Sequence, residues 1–592
     1  MKKLITPLGV LLVFSQAFSS AALPPADLAA LARYVPSNSD VVIGFRTDDA
    51  IINNLQVMID RIGETFDVEA PSLWDELDGL LQTLPFERPV NWDEAVRSWV
   101  GDSALIAYPN ISSQLDDKWE NDYMMPISLV FELTSQQALA DVIAAAVGEP
   151  EGMPLGDLLT EIASNSPEDY VVTVEGDVIH VAGTMNYRDV WVYIDDSALV
   201  LANTPHLVPT VLGDRTLETN ETFINGINHL TLPSYDGFIY TDLAVLLQAE
   251  NTSMSAYEEE LLEDVFSSLS EQIIGFSLNP EQAVVFDVVQ VINPEITSPI
   301  SYNVCSDDQA LDREFLRYIP AGSQVVMHGD QFLQQVEMFF VNMFFMAEAS
   351  TGMPFDQLDA DIRNLEDALD VFLGLDLQED ILSWMNGNFA FSLRISPSLS
   401  DAQTLDLRNV LSEMPVDGAL LIEVTDSEKA RNFVAALETF ITAGTDDDDD
   451  FAIESLTVEN GAGFMLHSTD PSLPFPINLG IAANESVFVI GTEASVQAAL
   501  SPSDSFLDSP QYAGYENFAL ANMANLFYVD ANIFETINAF VRSDRSMSER
   551  DRQEADLMLN GLSNLIQGFS FTNTCLADGV GGGRMVLHLE PR

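Results

Sequence analysis

A chain of 592 residues that is 47% hydrophobic and 9% aromatic carries enough apolar side chain for about two to four packed domains, which excludes a disordered protein. Its 93 Asp and Glu against 23 Lys and Arg give a formal net charge of -70, which repels nucleic-acid phosphate and anionic lipid and attracts cations and basic proteins. Self-repulsion on this scale opposes compaction unless salt shortens the Debye length to about 10 Å or less. The expected setting is therefore a saline or divalent-rich exterior with cations in the ion atmosphere; a general acidic bias of the proteome is the alternative.

At the start of the chain Lys2 and Lys3 precede an apolar run over residues 4–18, then Ser19, Ser20, Ala21 and Ala22. A basic start, a short apolar stretch and small residues make a secretory signal. Residues 1–21 are expected to be cleaved and the mature chain to be extracytoplasmic, either periplasmic or secreted. No later run of about 20 apolar residues follows, so no membrane span is expected in the mature chain. An oxidising compartment lets the two cysteines, Cys305 and Cys575, form a disulfide; spacing alone leaves two free thiols open.

In chain order, Arg33-Tyr34-Val35-Pro36 running into Val41-Val42 returns as Arg317-Tyr318-Ile319-Pro320 running into Val325-Val326. Each is a Pro turn leading into a strand, and an apolar helical pattern follows, over residues 51–62 and again over 332–347. The second pattern, with Phe339, Phe340, Phe344, Phe345 and Met346, leaves little polar face. It reads as a core or packing helix, or as a groove for an apolar ligand.

Next, Ser98-Trp99 with Gly101 matches Ser383-Trp384 with Gly387, a helix end and a glycine turn into a strand. Glu132 to Thr134 matches Glu423 to Thr425, strand ends after which Ser135 and Asp426 can cap a helix. Hairpins are expected where Thr173-Val174-Glu175-Gly176 leads to His180 and where Thr457-Val458-Glu459-Asn460-Gly461 leads to His467. Strands over 197–201 and 486–490 run into Thr204-Pro205 and Thr492-Glu493, and Thr with Pro behind it starts a helix. Tyr240 and Asp242 match Tyr528 and Asp530, and Ile274-Gly275-Phe276-Ser277 matches Gln567-Gly568-Phe569-Ser570.

Landmarks recurring in one order predict a tandem duplication of an α+β unit, each copy a mainly antiparallel sheet packed by helices. The expected limits are a signal at 1–21, a first copy at 22–293, a linker at 294–308 and a second copy at 309–592.

Side chains with chemistry are sparse. His180 and His467 recur, each near Glu175 or Glu459, which suggests either an acid and base across a hairpin or a hydrogen-bonded sheet histidine. Asp242 and Asp530 sit where strand meets helix and read as caps. Asp446, Asp447, Asp448, Asp449 and Asp450 form a solvated acidic run and a weak metal candidate, since calcium loops space their ligands around a glycine. Gly579 to Gly583 leads into a strand and reads as a hairpin turn, not a phosphate loop, which opens a helix. No catalytic residue and no cofactor is expected.

The chain resembles a secreted bacterial family known as domain of unknown function 3352. Pro320, Gly387, Glu423 to Ala430, Gly491-Thr492 to Leu500 and Leu507-Asp508-Ser509 carry the likeness, and the first copy has Asn203-Thr204 in place of Gly-Thr. The resemblance implies export and a duplicated α+β unit, with no catalytic residues to carry over.

The expected role is a non-catalytic binding or surface-associated scaffold for a protein or an apolar ligand. An extracytoplasmic hydrolase with a site between the copies, and a carrier of an apolar molecule, are the alternatives. If the charge is an adaptation to salt, the melting temperature of the purified chain rises with NaCl or millimolar calcium; a flat melting temperature from low to high salt overturns that reading.

Overall fold

The computed structural model describes residues 23–82, 91–109, 126–164, 170–183, 189–242, 269–292, 310–333, 374–385, 387–395, 416–445, 451–468, 478–543, 547–577 and 579–591. The chain divides into two compact units, Met1–Tyr302 with Leu576–Gly582 and Asn303–Cys575 with Gly583–Arg592. Among the described residues no helix is long and apolar enough to cross a membrane.

The strands of the first unit are β1 (Ser39–Arg46), β2 (Val100–Pro109), β3 (Ser128–Leu133), β4 (Tyr170–Glu175), β5 (Val178–Gly183), β6 (Val190–Ile194), β7 (Ala198–Ala202), β8 (Gly237–Asp242), β9 (Leu269–Asn279) and β10 (Ala283–Ile292). Their pairings are antiparallel and run β10-β9-β8-β1-β2-β3-β7-β6-β5-β4. The second unit holds β11 (Val325–Gly329), β12 (Phe389–Ile395), β13 (Val416–Glu423), β14 (Phe451–Ser455), β15 (Ala462–Ser468), β16 (Asn478–Ala483), β17 (Val487–Gly491), β18 (Asn525–Asp530), β19 (Ile566–Ala577) and β20 (Val580–Leu589). Its order is β20-β19-β18-β11-β12-β13-β17-β16-β15-β14. The fold is α+β, and the two units share one strand order.

Helices cover the sheets because both sheet faces are apolar, which is why strands such as Ala198–Ala202 read as continuous hydrophobic runs. In the first unit, Val42, Leu105, Val130 and Val200 point to one core with Phe223 and Ile227. On the other face Ile43, Ile106 and Phe45 meet Ile51, Ile52 and Leu55 of helix α1 (Asp49–Phe66) and Leu73 of α2 (Leu73–Gln82). Helix α3 (Gln136–Val147) starts as expected, with Ser135 Oγ accepting the Ala138 amide at 3.1 Å. Asp426 does the same for α4 (Ser427–Thr445), accepting from Glu428 and Lys429.

In the second unit Val326, Leu421, Val489, Phe506 and Tyr528 form one core, and Trp384, Ile422, Phe464 and Phe488 form another. Met327, Phe391 and Phe571 remain 44%, 37% and 36% exposed. They join through Phe527 as direct cross-strand neighbours. Residues 334–346, most of the apolar helical pattern, lie outside the described residues, as does the expected linker.

Two landmarks far apart in sequence meet in each unit. The Trp99 indole donates to the Ala95 carbonyl at 2.7 Å and the Trp384 indole to Asp380 at 2.9 Å, each closing a helical turn. The Trp99 and Trp384 carbonyls then accept from the Thr134 and Thr425 hydroxyls, both at 3.0 Å. Glu132 Oε2 accepts the Asp102 amide at 2.9 Å, and Glu423 Oε2 accepts the Asn388 amide at 3.0 Å. The carboxylates lie over Gly101 and Gly387: an added Cβ would stand 2.5 Å from Glu132 Cγ or 2.9 Å from Glu423 Oε2. Only glycine leaves room for the clamp.

Ladder positions correct three sequence matches. Thr457, Val458 and Glu459 are not strand: β14 ends at Ser455, and Val458 packs beneath Gly461 and Gly463 in the turn. An alternating Leu456 and Val458 imitates a strand because both pack against the core. Tyr240 faces Ile273 whereas Tyr528 faces Ser570, so Gly568 stands where the first unit has Glu271, not Gly275. Trp191 faces His180 and Gly480 faces Met465, so His180 corresponds to Met465 and His467 to Ala182. A shift of two residues keeps the side chain on the same face, which is why the two histidines look equivalent.

Gly387→Ala should push Glu423 off the Asn388 amide and destabilise the protein by about 1–3 kcal/mol. In a thermal melt, adding Glu423→Ala should cost less than the two single losses combined. A Gly387→Ala variant that melts like the parent overturns the clamp.

Candidate functional site

Of the histidines, His180 and His467 are half-buried on strands, His206 and His229 lie at short helices, and His328 and His588 are buried. His180 Nε2 lies 3.1 Å from Asp189 and its ring stacks on Trp191 at 4.4 Å. His467 Nδ1 meets Asn478 Oδ1 at 3.0 Å, with Glu454 at 3.9 Å. The carboxylates beside them are thus Asp189 and Glu454, neither Glu175 nor Glu459. His328 on β11 is 1% exposed, stacked on Phe315, with neither ring nitrogen hydrogen bonded among the described residues. A Ser–His contact not legible in the sequence joins Ser570 to His588 Nε2 at 2.8 Å, with both residues buried within the sheet.

The recurring aspartates do different things. Asp530 Oδ1 accepts the amide of Asn532, the first residue of helix α5 (Asn532–Ser543), at 2.9 Å. Burial raises its pKa. Asp242 faces Glu271 directly across the ladder, and burial, then the nearby Asp242 charge, raises the Glu271 pKa, with Thr222 and Tyr240 opposing by hydrogen bonds. Among the described residues no group of three or more His, Cys, Asp or Glu is placed to hold a metal. Asp446 to Asp450 lie outside them. Cys575 is disulfide-bonded, and Cys305 lies outside the described residues. Gly579, at φ 71, sits in the turn between β19 and β20.

Among the described residues of the second unit is a cleft of about 190 Å³. One wall is Pro320, Ala321 and Ser323, ahead of β11; the floor is Ser392 and Arg394 of β12 with Asp417 of β13. Across it lies helix α6 (Glu493–Leu500), which presents Ala494, Ser495 and Ala498, followed by Ser501, Ser503 and Asp504. Thr492 precedes the helix but makes no side-chain cap bond. Its hydroxyl instead reaches Asp417 Oδ1 at 3.3 Å and Ser495 Oγ at 3.2 Å. The first-turn amides of α6 therefore keep no side-chain acceptor from their cap residue.

The ladder gives this cleft a built-in control. Ser392 faces Val326 as Ala107 faces Val42, so Arg394 corresponds to Pro109, and Asp417 and Thr492 to Pro126 and Asn203. The same sheet position is apolar or uncharged in one unit and bears a cation, an anion and hydroxyls in the other.

The sequence matches the family described as Protein of unknown function (DUF3352) over residues 4–530. The chain belongs to the DUF3352 family. No curated protein and no solved structure matches it. Of the residues by which the second half resembles DUF3352, Pro320 lines the cleft and bridges to Ser505, Thr492 binds its Asp417 and Asp508 takes the Ser505 hydroxyl at 2.7 Å, whereas Gly387 and Glu423 form the clamp at the other end of β12.

Burial pushes the pKa of His328 and of His588 down to about 4 from 6.5. For His328, Asn388 and Asp312 oppose the shift only in part. In the unfolded chain each would take up a proton near pH 6.5, so stability present above that pH is lost as pH falls to about 4, by roughly 3 kcal/mol per histidine at most. In the first unit Asp236, buried beside Arg46, is pushed up to about 6 by burial and works the other way. Its stability is present at low pH and lost as pH rises through 6. Hydrogen exchange should show second-unit peptides losing protection from pH 6.5 to 4, less steeply in His328→Phe. Equal slopes in both proteins would count against the buried neutral histidine.

Proposed function

We propose that this protein is an exported, non-catalytic binding protein whose second unit holds a small polar ligand in the Ser392–Arg394–Asp417 cleft. The cleft carries the reading: it is concave and its polar groups converge from three elements, the arrangement expected of a small-molecule site. The signal-like residues 1–21 support export to the periplasm or beyond. The disulfide at Cys575, with Cys305 as the chain's other cysteine, supports an oxidising compartment and a Cys305–Cys575 bridge.

The shared strand order and the repeated Trp, Gly, Glu and Thr clamp support descent of both units from one duplicated ancestor, with copies at 22–293 and 309–592 around a linker at 294–308. On this reading the first copy serves as a scaffold and the second has acquired the ligand chemistry. The acidic surface suits a saline exterior, with cations held in its ion atmosphere.

Native mass spectrometry of the protein purified from its own host should show a mature chain starting near residue 22 and a low-mass ligand released on unfolding. Ala494→Trp places bulk on the exposed side of the cleft and should abolish retention. A parent protein without ligand, or a ligand that survives the blocking substitution, overturns the binding role.

A further inference from the structure

We infer that the cleft of the second unit takes a small zwitterion, an α-amino acid with a free carboxylate and a protonated amine; this rests on the binding role proposed above and adds the ligand's chemistry. Arg394 and Asp417 are direct cross-strand partners, a placement that brings Cβ atoms to about 5 Å and usually lets opposite charges meet. They form no ion pair. Asp417 is engaged by the Thr492 hydroxyl, and Arg394, exposed at the cleft, has no hydrogen-bond or ion-pair partner among the described residues. A cation and an anion are therefore held side by side without neutralising each other, in a chain where cations are scarce.

A second observation is independent of these charges. Ser392 lines the same cleft, a polar residue between the core residues Ala390 and Val326. Its hydroxyl can donate to a ligand's acceptor or accept from its donor. Ser392 and Arg394 are two apart on β12, so they share a face. The open first turn of α6 adds backbone N–H groups and the positive end of its dipole on the opposite side.

The groups divide by charge preference. Arg394, the Ser392 hydroxyl and the α6 amides suit a carboxylate, which accepts from all three. Asp417 and Asp504 suit an ammonium group, which donates to both. The net charge of -70 selects between ligand classes: it repels a free anion and draws a free cation to any part of the surface, whereas a net-neutral zwitterion meets no such long-range bias. Ser and Ala line most of the remaining wall, so the space suits a short side chain. In the first unit the corresponding Ala107, Pro109 and Pro126 offer none of these groups, so one site per chain is expected.

Isothermal titration of the full mature chain at fixed NaCl tests this with L-alanine as probe, and propionate, ethylamine and glycerol as controls. Saturable binding of L-alanine at one site per chain is expected, with propionate and ethylamine at least about tenfold weaker and Arg394→Gln and Asp417→Asn each weakening L-alanine about tenfold or more. Both substitutions lie at the cleft surface, and an unchanged melting temperature without ligand confirms that each variant folds. Glycerol binding as well as L-alanine, with Arg394→Gln without effect, overturns the zwitterion while leaving the cleft a binding site. Propionate matching L-alanine overturns it in favour of a simple anion. No heat from L-alanine in a protein that releases a different ligand on native mass spectrometry overturns the ligand class alone; no heat and no released ligand overturns the cleft as well.

Discussion

The contact on which each unit depends is a carboxylate laid across a glycine. Glu132 over Gly101 and Glu423 over Gly387 reach the backbone amide that follows the turn. A charge-assisted bond of this kind is stronger than one between neutral groups. It forms where a helix hands over to a strand, the point at which the chain has the most unsatisfied backbone. Because the glutamate belongs to the neighbouring strand, the bond also fixes the register of β2 on β3 and of β12 on β13. In the second unit that register places Arg394 opposite Asp417 at the far end of the same strand pair. The cleft is thus a downstream result of a clamp that lies near the opposite end of β12.

Charge elsewhere follows a different logic. Arg46 is fully buried with Asp48 and Asp236 around it, and burial outweighs its attraction on Asp236. Arg313, Arg317, Arg542 and Arg550 each meet a carboxylate at the surface. Such exposed pairs contribute little individually. Arg215 and Arg431 bond backbone carbonyls instead, and Arg394 faces an aspartate across the ladder without an ion pair among the described residues.

Much of the scaffold was legible from residues. The Pro turns, the Trp and Gly landmarks, the Ser135 and Asp426 caps and the Tyr-x-Asp strands all sit where local chemistry put them. Matching by residue identity failed where packing decided: Val458 fills a turn while alternating like a strand, and Gly568 resembles Gly275 but occupies another ladder position. Histidines two residues apart on one face deceived for the same reason. The cleft itself was not legible. Ser392, Arg394, Asp417 and Thr492 are ordinary residues spread over about a hundred positions, and only strand order brings them together. A signal did exist in the ladder comparison, where Ala107 and Pro109 are replaced by serine and arginine, but reading it requires knowing the register.

The row from Phe391 through Met327 and Phe527 to Phe571 has a colloidal consequence. At low ionic strength the carboxylate coat keeps neighbouring molecules farther apart than an apolar strip can act. Added salt thins that barrier, and salts such as sulfate also strengthen apolar adhesion. The coat and the strip thus respond to salt in opposite senses, since ionic strength weakens repulsion between molecules and leaves apolar attraction in place.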